Sequence, residues 1–410
     1  MRRVGIGVAI GVGVAVASVL TPVKEKGLTL QRQAEQAGAK AVKWGWIAPI
    51  TLNYSVSRTD QTGIIRTKTF EVEVNQPIFR GGAIYYSLKY GSDASHLSDL
   101  NYFQNRASLV KQAIGLILDY RITLLNLQIA RLQLQNAKID VQKKRADYLA
   151  GVGDSGLLNN AILQKNQAQL QILTLRQQLE QLREQFETIS NLDIATAPLP
   201  RFKLVEKREF VHQNYNYLIA KAQSRVNYDQ YRQQLGNLLP SINLMGSYTR
   251  IRQVEPFTTS DGYYQVGVGV VWQFGPATYY QTEQAKLNYF KSRLALSDTR
   301  RQLDHTYRQL MAQLRELDGE LKIYKENEKL YRDLVKSTED GIKSGTNTQL
   351  DLEMMKNSYR IALLQQKIVD LKRQKVLLEL DYQLYTYRNR LDPTIDSDSP
   401  HLSFNLKGER

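Results

Sequence analysis

Two spacings of apolar residues organise this chain, and each occurs in both halves. Over long stretches the apolar positions recur at alternating steps of three and four, which places them on one face of an α-helix. Val110, Ala113, Ile117, Tyr120, Leu124, Leu127, Ala130, Leu134, Ala137 and Val141 make one such stripe. Leu118, Ile122, Leu125, Ile129 and Leu132 make a second beside it. One stripe suffices for a two-stranded coiled coil. Two adjacent stripes let a helix contact a neighbour on either side, as in a bundle or a closed palisade. This helix opens after Phe79-Arg80-Gly81-Gly82 and would run for about 70 residues, or about 100 Å. It stops at a Gly-rich break, Gly151-Val152-Gly153-Asp154-Ser155-Gly156. Beyond the break, Ala168, Ile172, Leu175, Leu179, Leu182, Phe186 and Ile189 keep a heptad stripe. A connection this short makes antiparallel neighbours, so the pair reads as a long helical hairpin.

The other spacing is two. Thr51, Asn53, Ser55 and Ser57 alternate with Leu52, Tyr54 and Val56, and Phe70, Val72 and Val74 alternate with Thr69, Glu71 and Glu73. These are strands with one apolar and one polar face, joined as a β-hairpin. Pro77 is expected to end the second strand, since proline cannot continue a ladder. A short amphipathic segment from about Leu28 to Trp46 precedes the hairpin.

The second half repeats the plan. A helix from about Val205 to Leu239 leads into a strand with Ile242, Leu244 and Tyr248 opposed to Ser241, Asn243 and Ser247. In the next strand Val266, Val268, Val270, Trp272 and Phe274 share a face. Another helix of about 70 residues reaches a second break, Gly341-Ile342-Lys343-Ser344-Gly345-Thr346-Asn347. After it, Ile361, Leu364, Ile368, Leu371, Leu378, Tyr382 and Tyr385 keep the helical spacing, with Lys375 in the one slot that is not apolar. The two halves align with Asn75–Phe79 on Val271–Gly275 at the strand-to-helix junction and Gly153 on Gly345 at the tips. The expected organisation is thus one repeat over 18–194, with strands at about 50–76 and a hairpin at about 80–191. The second covers 195–391, with strands at about 241–274 and a hairpin at about 277–388. The tail, 392–410, has no periodicity and reads as a poorly ordered end.

At the N-terminus, Arg2 and Arg3 precede a run of small and branched apolar residues that ends in Ala15-Val16-Ala17. That is the layout of a secretory signal peptide over 1–17; an uncleaved anchor is the competing reading, because the run comes close to spanning length. Either way the rest of the chain crosses a membrane. No later stretch reads as long and apolar enough for a transmembrane helix, so insertion would use strands.

Composition narrows the chemistry. The 410 residues carry a formal charge of +15 and no cysteine. Disulfides, thiol catalysis and Cys-based zinc sites are excluded. The basic residues are interleaved with acidic ones along helices, the pattern of a solvated face and not of a nucleic-acid surface. The four histidines, His96, His212, His305 and His401, are scattered. The sequence shows no Ser/His/Asp grouping and no phosphate-binding loop, so neither an enzyme nor a cofactor is expected. The 24 tyrosines are expected at packing and interface positions.

Four strands cannot close a transmembrane barrel, in which every lipid-exposed backbone group must be paired; the smallest common barrel has about eight. Several chains would have to contribute. With Leu239-Pro240-Ser241-Ile242 entering a strand, Gln76-Pro77-Ile78-Phe79-Arg80-Gly81-Gly82 leaving one, and Ser344-Gly345-Thr346-Asn347-Thr348-Gln349-Leu350-Asp351-Leu352 at a tip, the chain resembles the TolC family of outer membrane efflux and secretion channels. The likeness covers about Leu28 to Leu391, twice over and in the right order. It implies a mainly α protein with long coiled-coil hairpins, whose homotrimer joins three sets of four strands into one 12-stranded barrel in the outer membrane, with the helices in the periplasm. It also implies an inner-membrane transporter and a periplasmic adaptor as partners. The adaptor would dock on tip residues Gly151, Gly153, Asp154, Ser155, Gly345, Thr346 and Asn347. A family acidic ring that constricts the pore falls on Asp351; its next position falls on Met354, with Glu353 on a neighbouring face and Asn159 in the matching place of the first half. Trp272, Phe274 and Tyr248 are the expected membrane-interface anchors. The rival reading is a periplasmic coiled-coil adaptor or scaffold, which would carry one hairpin within a lipoyl-like sandwich. The leading helix is shorter than its counterpart in the second half, so part of the equatorial layer is expected to be reduced.

Overall fold

The computed structural model describes residues 19–60, 64–255, 257–273 and 275–387. The leader at 1–17, Phe274 and the tail at 392–410 lie outside them. Seven α-helices and four strands are seen among the described residues: α1 Pro22–Trp44, β1 Ile50–Asp60, β2 Ile64–Arg80, α2 Ala83–Leu149, α3 Ser155–Glu187, α4 Lys207–His212, α5 Tyr215–Asn237, β3 Ser241–Glu255, β4 Thr259–Val271, α6 Pro276–Lys343 and α7 Gln349–Asp381. The chain divides into two compact units.

One unit, residues 27–105 and 207–305, holds the sheet. The four strands pair antiparallel in the order β1-β2-β3-β4. Register keeps like with like across the sheet. Leu52 pairs with Val72, Val72 with Tyr248, and Tyr248 with Tyr264; on the other face Asn53 pairs with Glu71, Glu71 with Thr249, and Thr249 with Tyr263. A one-residue slip would exchange the faces of a whole strand, so the alternation itself fixes the register. The apolar face is uncovered among the described residues: Leu52 is 66%, Val266 81% and Val270 70% exposed. Among the described residues, both edge strands, β1 and β4, lack an outer partner.

Two expectations are corrected in this unit. β2 does not end at Pro77 but runs to Arg80, because the ladder shifts register between Pro77 and Phe79. A bulge is where a strand tolerates a residue without an N–H. The expected single helix over 205–239 is two, α4 and α5. Asn214 breaks it by taking an extended conformation (φ −67°, ψ 133°) and accepting a hydrogen bond on its side chain from the Asn216 N–H, as the N-cap of α5. Phe210 and Val211 of α4 and Tyr215, Ala222 and Val226 of α5 are buried with Leu100 and Phe103 of α2. α1 is tied to α2 by Arg32 and Gln36, whose nitrogens donate to Asp99 Oδ1 at 2.7 and 2.8 Å.

The other unit, residues up to 26, 106–206 and 306 onward, is helical over its described residues. Here α7 runs antiparallel beside α2, as its polar rungs show. Lys111 Nζ lies 2.7 Å from Glu379, and Lys375 Nζ donates to both oxygens of Asp119 at 2.7 and 2.9 Å. Further along, the buried Asn357 Nδ2 donates to Asn136 Oδ1 at 2.9 Å. The non-apolar slot at Lys375 is therefore one of these rungs. Beside α7, α6 packs back as the other arm of its hairpin, with Lys356 to Glu339 at 3.0 Å and Gln366 to Glu328 at 2.9 Å. Much of the predicted stripes is buried, including Ala113, Ile117 and Leu118 of α2, Phe186 of α3 and Leu378 of α7, whereas Leu124 of α2, also on a predicted stripe, is 39% exposed. One stretch of α2 does pass for a membrane span on length and composition, against the expectation that none would. The apolar residues that make it pass include Ala113, Ile117 and Leu118, which are this unit's core.

Candidate functional site: the hairpin tips

Both tips are built by the same turn. Gly151 and Gly345 take left-handed φ values of +75° and +77°, a conformation that glycine enters without a Cβ penalty. At the first, the Val152 N–H donates to the Asp147 carbonyl at 3.1 Å and the Gly151 N–H to the Tyr148 carbonyl at 3.1 Å. At the second, the Thr346 N–H donates to the Gly341 carbonyl at 2.8 Å and the Gly345 N–H to the Ile342 carbonyl at 3.1 Å. This pair of bonds is the Schellman ending, which satisfies carbonyls the helix leaves open. The residue three places past each glycine caps the return helix: Asp154 accepts from the Gly156 N–H, and Thr348 accepts from the Asp351 N–H.

The matching turns reset the internal alignment. Gly345 corresponds to Gly151, not Gly153, and the return helices, each of 33 residues, begin at Ser155 and Gln349. On that register Asp351 corresponds to Leu157, and Asn159 corresponds to Glu353. The slip has a steric cause. The third residue from each helix end touches the residue two places past the left-handed glycine, and only one of the two carries a side chain freely. A Cβ on Gly153 would lie 3.0 Å from that of Asp147; a Cβ on Gly341 would lie 2.1 Å from Asn347 Nδ2. The glycine has changed sides between the tips, so matching glycine to glycine misaligns them.

The second tip is the more strongly fastened. Asp351 and Thr348 form a reciprocal capping box, with Asp351 Oδ2 accepting from the Thr348 N–H at 2.9 Å and from its hydroxyl at 2.5 Å. The other oxygen, Oδ1, accepts from Lys143 Nζ of α2. Lys143 foremost, then Thr348, holds the Asp351 carboxyl well below the usual carboxylate range. At the first tip Leu157 stands where Asp351 would be, so Asp154 caps alone. Lys143 lies in the run Lys143-Lys144-Arg145, and nothing in its spacing marks it as the partner of Asp351. Glu353 and Asn159 are exposed.

At the sheet, Trp272 is 64% exposed and donates from Nε1 to the Leu238 carbonyl at 3.1 Å. Tyr248 packs its ring 6.1 Å from that of Tyr264. Among the described residues no group of three acidic, histidine or cysteine side chains could hold a metal ion.

Long paired hairpins, a sheet whose apolar face is bare and whose edges are open, and a twofold internal repeat define the class of strand-and-hairpin outer membrane channels. A profile of the outer membrane efflux protein family matches residues 28–191 and again 213–391. The chain belongs to that family, the TolC-type channels, and is not an enzyme. Solved structures share the fold at low identity. The outer membrane protein VceC of Vibrio cholerae matches with a TM-score of 0.70 at 12% identity, over 87% of this chain and 90% of that one. The outer-membrane channel OprN gives 0.72 at 15%, over 89% and 88%. The CmeC outer membrane channel of Campylobacter jejuni gives 0.71 at 13%, over 89% and 84%. No curated protein matches the sequence. The protein is an outer membrane efflux channel with its helical part in the periplasm.

Proposed function

We propose that three copies of this chain form the exit duct of a tripartite efflux pump or type I secretion system, receiving substrate from an inner-membrane transporter through a periplasmic adaptor. The observation that carries this reading is the sheet. It presents one continuous apolar face to the outside and ends in two open edges, which lipid and two neighbouring sheets would satisfy together. The helices support it independently. α3 exposes Leu163, Leu170 and Leu173, and α6 exposes Ile323 and Leu330, stripes that a single chain leaves uncovered and a closed palisade would bury. Trp272, Tyr248 and Phe274 are the proposed interface anchors.

In this reading the tips are the periplasmic mouth. Gly151, Gly153, Asp154, Ser155, Gly345, Thr346 and Asn347 would meet the adaptor, while Asp351, Glu353 and Asn159 would line the constriction. Asp351 serves there as a fastening of α7 to α2 through Lys143, and Glu353 supplies the exposed charge. The test is purification from detergent-extracted outer membrane and recording in planar bilayers. A heat-modifiable trimer with measurable conductance is expected, and Asp351→Ala should raise conductance more than Asn159→Ala. Absence of both trimer and conductance would sink the channel reading; equal effects of the two substitutions would return both tips to plain turns. Co-purification of an adaptor and a transporter distinguishes a drug pump from a secretion system.

A further inference from the structure

The charges of the sheet are sorted by face. Pairing places five cations, Arg58 of β1, Arg66 and Lys68 of β2 and Arg250 and Arg252 of β3, on the face that carries Leu52, Val72 and Tyr248. The opposite face carries Glu71, Glu73 and Asp261 and neither lysine nor arginine. The cations are also sorted by height. On the apolar face no charged residue stands between the Leu244–Val268 rung and the Leu52–Val72–Tyr248–Tyr264 rung. The next three rungs, towards the hairpin loops, hold all five: Arg250 beside Phe70, Lys68 directly opposite Arg252, and Arg58 directly opposite Arg66. At ordinary strand spacings the patch covers about 14 Å by 10 Å. All five side chains are exposed, and among the described residues none forms an ion pair; Arg250 Nε donates to the Ser260 hydroxyl at 3.4 Å. The acids nearest in the register, Asp60 and Glu255, stand opposite Ile64 and Arg66 at the last rungs and leave the patch positive.

We infer that this patch binds the phosphates of a phosphorylated lipid of the outer leaflet, docked against the outside of the barrel. The site presupposes the reading above, in which the apolar face meets lipid. The helices leave the other end of the sheet, so with the helices in the periplasm the patch lies on the outer side of the membrane. Like charges directly opposite one another weaken a strand pair, and here two such pairs stand on successive rungs with no acid between them. A cation on the lipid face is costly at mid-membrane and tolerated near the interface. The cations begin where Tyr54, Phe70, Tyr248 and Tyr264 form an aromatic layer, the level at which such rings meet headgroups. Arginine forks take phosphate oxygens in pairs. The Lys68–Arg252 and Arg58–Arg66 rungs are about 7 Å apart, a spacing that suits a headgroup bearing more than one phosphate. A free anion would satisfy the charge alone. The apolar rungs continue from the patch without a break, and a lipid satisfies both.

The experiment follows thermal unfolding of the full-length protein in neutral detergent by circular dichroism. The additions are a diphosphorylated glucosamine lipid of the lipid A type, the same lipid stripped of its phosphates, and inorganic phosphate. The diphosphorylated lipid is expected to raise the melting temperature at concentrations where the other two do nothing, and added salt should weaken the effect. Lys68→Gln combined with Arg252→Gln should raise the lipid concentration that gives half the effect by at least about tenfold, because charge-assisted contacts are lost. Without lipid the same double variant should melt above the wild type, its repulsion removed. Glu71→Gln combined with Glu73→Gln, on the opposite face, should leave the half-effect concentration unchanged. If the first double variant folds poorly, Arg58→Gln with Arg66→Gln tests the other pair by the same measurement. An equal response to the stripped lipid or to inorganic phosphate, or an unchanged half-effect concentration in the variants, overturns the lipid site. The channel reading is decided separately by the trimer and its conductance: a conducting trimer indifferent to the phosphates overturns the lipid site alone.

Discussion

Replacing Lys143 and Asp351, singly and together, measures how firmly the second tip is fastened. Both side chains are about a third exposed, at 29% and 33%, which places their ion pair near the upper end of the surface range, about 0.5–1 kcal/mol. Asp351→Asn also weakens the capping box with Thr348, and a lost cap costs about 1 kcal/mol. The single change should therefore lower the free energy of opening the first turn of α7 by about 1.5 kcal/mol, or roughly tenfold in opening frequency. Lys143→Met should cost only the ion pair. The double variant should fall short of the sum by about 0.5–1 kcal/mol, the coupling that the cycle isolates. Amide hydrogen exchange of a peptide covering 344–357, in the intact detergent-solubilised protein, reads all three. Additive effects, or exchange in this segment unmoved by Asp351→Asn, would refute the fastening. The pH dependence has a definite sign. The Asp351 carboxyl is depressed in the fold, so its contribution is complete above the ordinary value of 3.8 and is lost only as pH falls through the folded value. Opening at this tip should be flat from pH 8 down to about 4.

Gly345→Ala and Gly151→Ala should each cost about 1–2 kcal/mol and lower the melting temperature alike, since a Cβ meets nothing within 4 Å at either and only the left-handed φ is strained; a neutral result at either would count against the shared turn. Gly81→Ala should be more damaging than Gly82→Ala, because a Cβ at Gly81 comes within 2.5 Å of the Gly236 carbonyl while Gly82 faces open space; yields of folded protein rank the two. Phe186→Ala, at a side chain with no exposure, should cost about 3–5 kcal/mol in unfolding experiments. Leu170→Asp, at a position 63% exposed in the single chain, should leave helix content unchanged and lower the temperature at which the trimer dissociates on gels.

Periodicity carried most of the fold. The strands alternate because the pairing collects apolar side chains on one face of the sheet and polar ones on the other, and the helical stripes survive over tens of residues because each lies against a long neighbour. Interruptions were harder to read. Asn214 ends α4 through a local side-chain bond that competes with the helix, and Asn-rich helical sequence around it hides the choice. Pro77 looked like a stop because a bulge cannot be recognised from one strand alone. The tips misaligned by two residues because glycine serves two purposes there, φ at Gly151 and Gly345 and clearance at Gly153 and Gly341. Asp351 was legible as a first-turn acid, whereas Lys143 was not, since the partner lies on another helix more than two hundred residues away. Asp229 was hidden for the same reason: a lone Asp on a helix looks like surface until another helix buries it.

The hydrogen bond that Asn357 donates to Asn136 bears on something that apolar stripes cannot determine. A heptad pattern resembles itself when displaced by seven residues, so α7 could slide along α2 by about 10 Å and still bury leucine against leucine. Asn357 occupies a stripe position four residues before Ile361, and Asn136 one three residues before Ile139. A displaced helix would seal these amides against hydrocarbon without each other, at about 1–3 kcal/mol for each group left unmatched, whereas in the native alignment they satisfy one another. The pair works as a key tooth: replacing both with leucine would raise the melting point while admitting mis-set copies. Where every return helix must stop at one level, that loss of setting would matter more than the degrees gained.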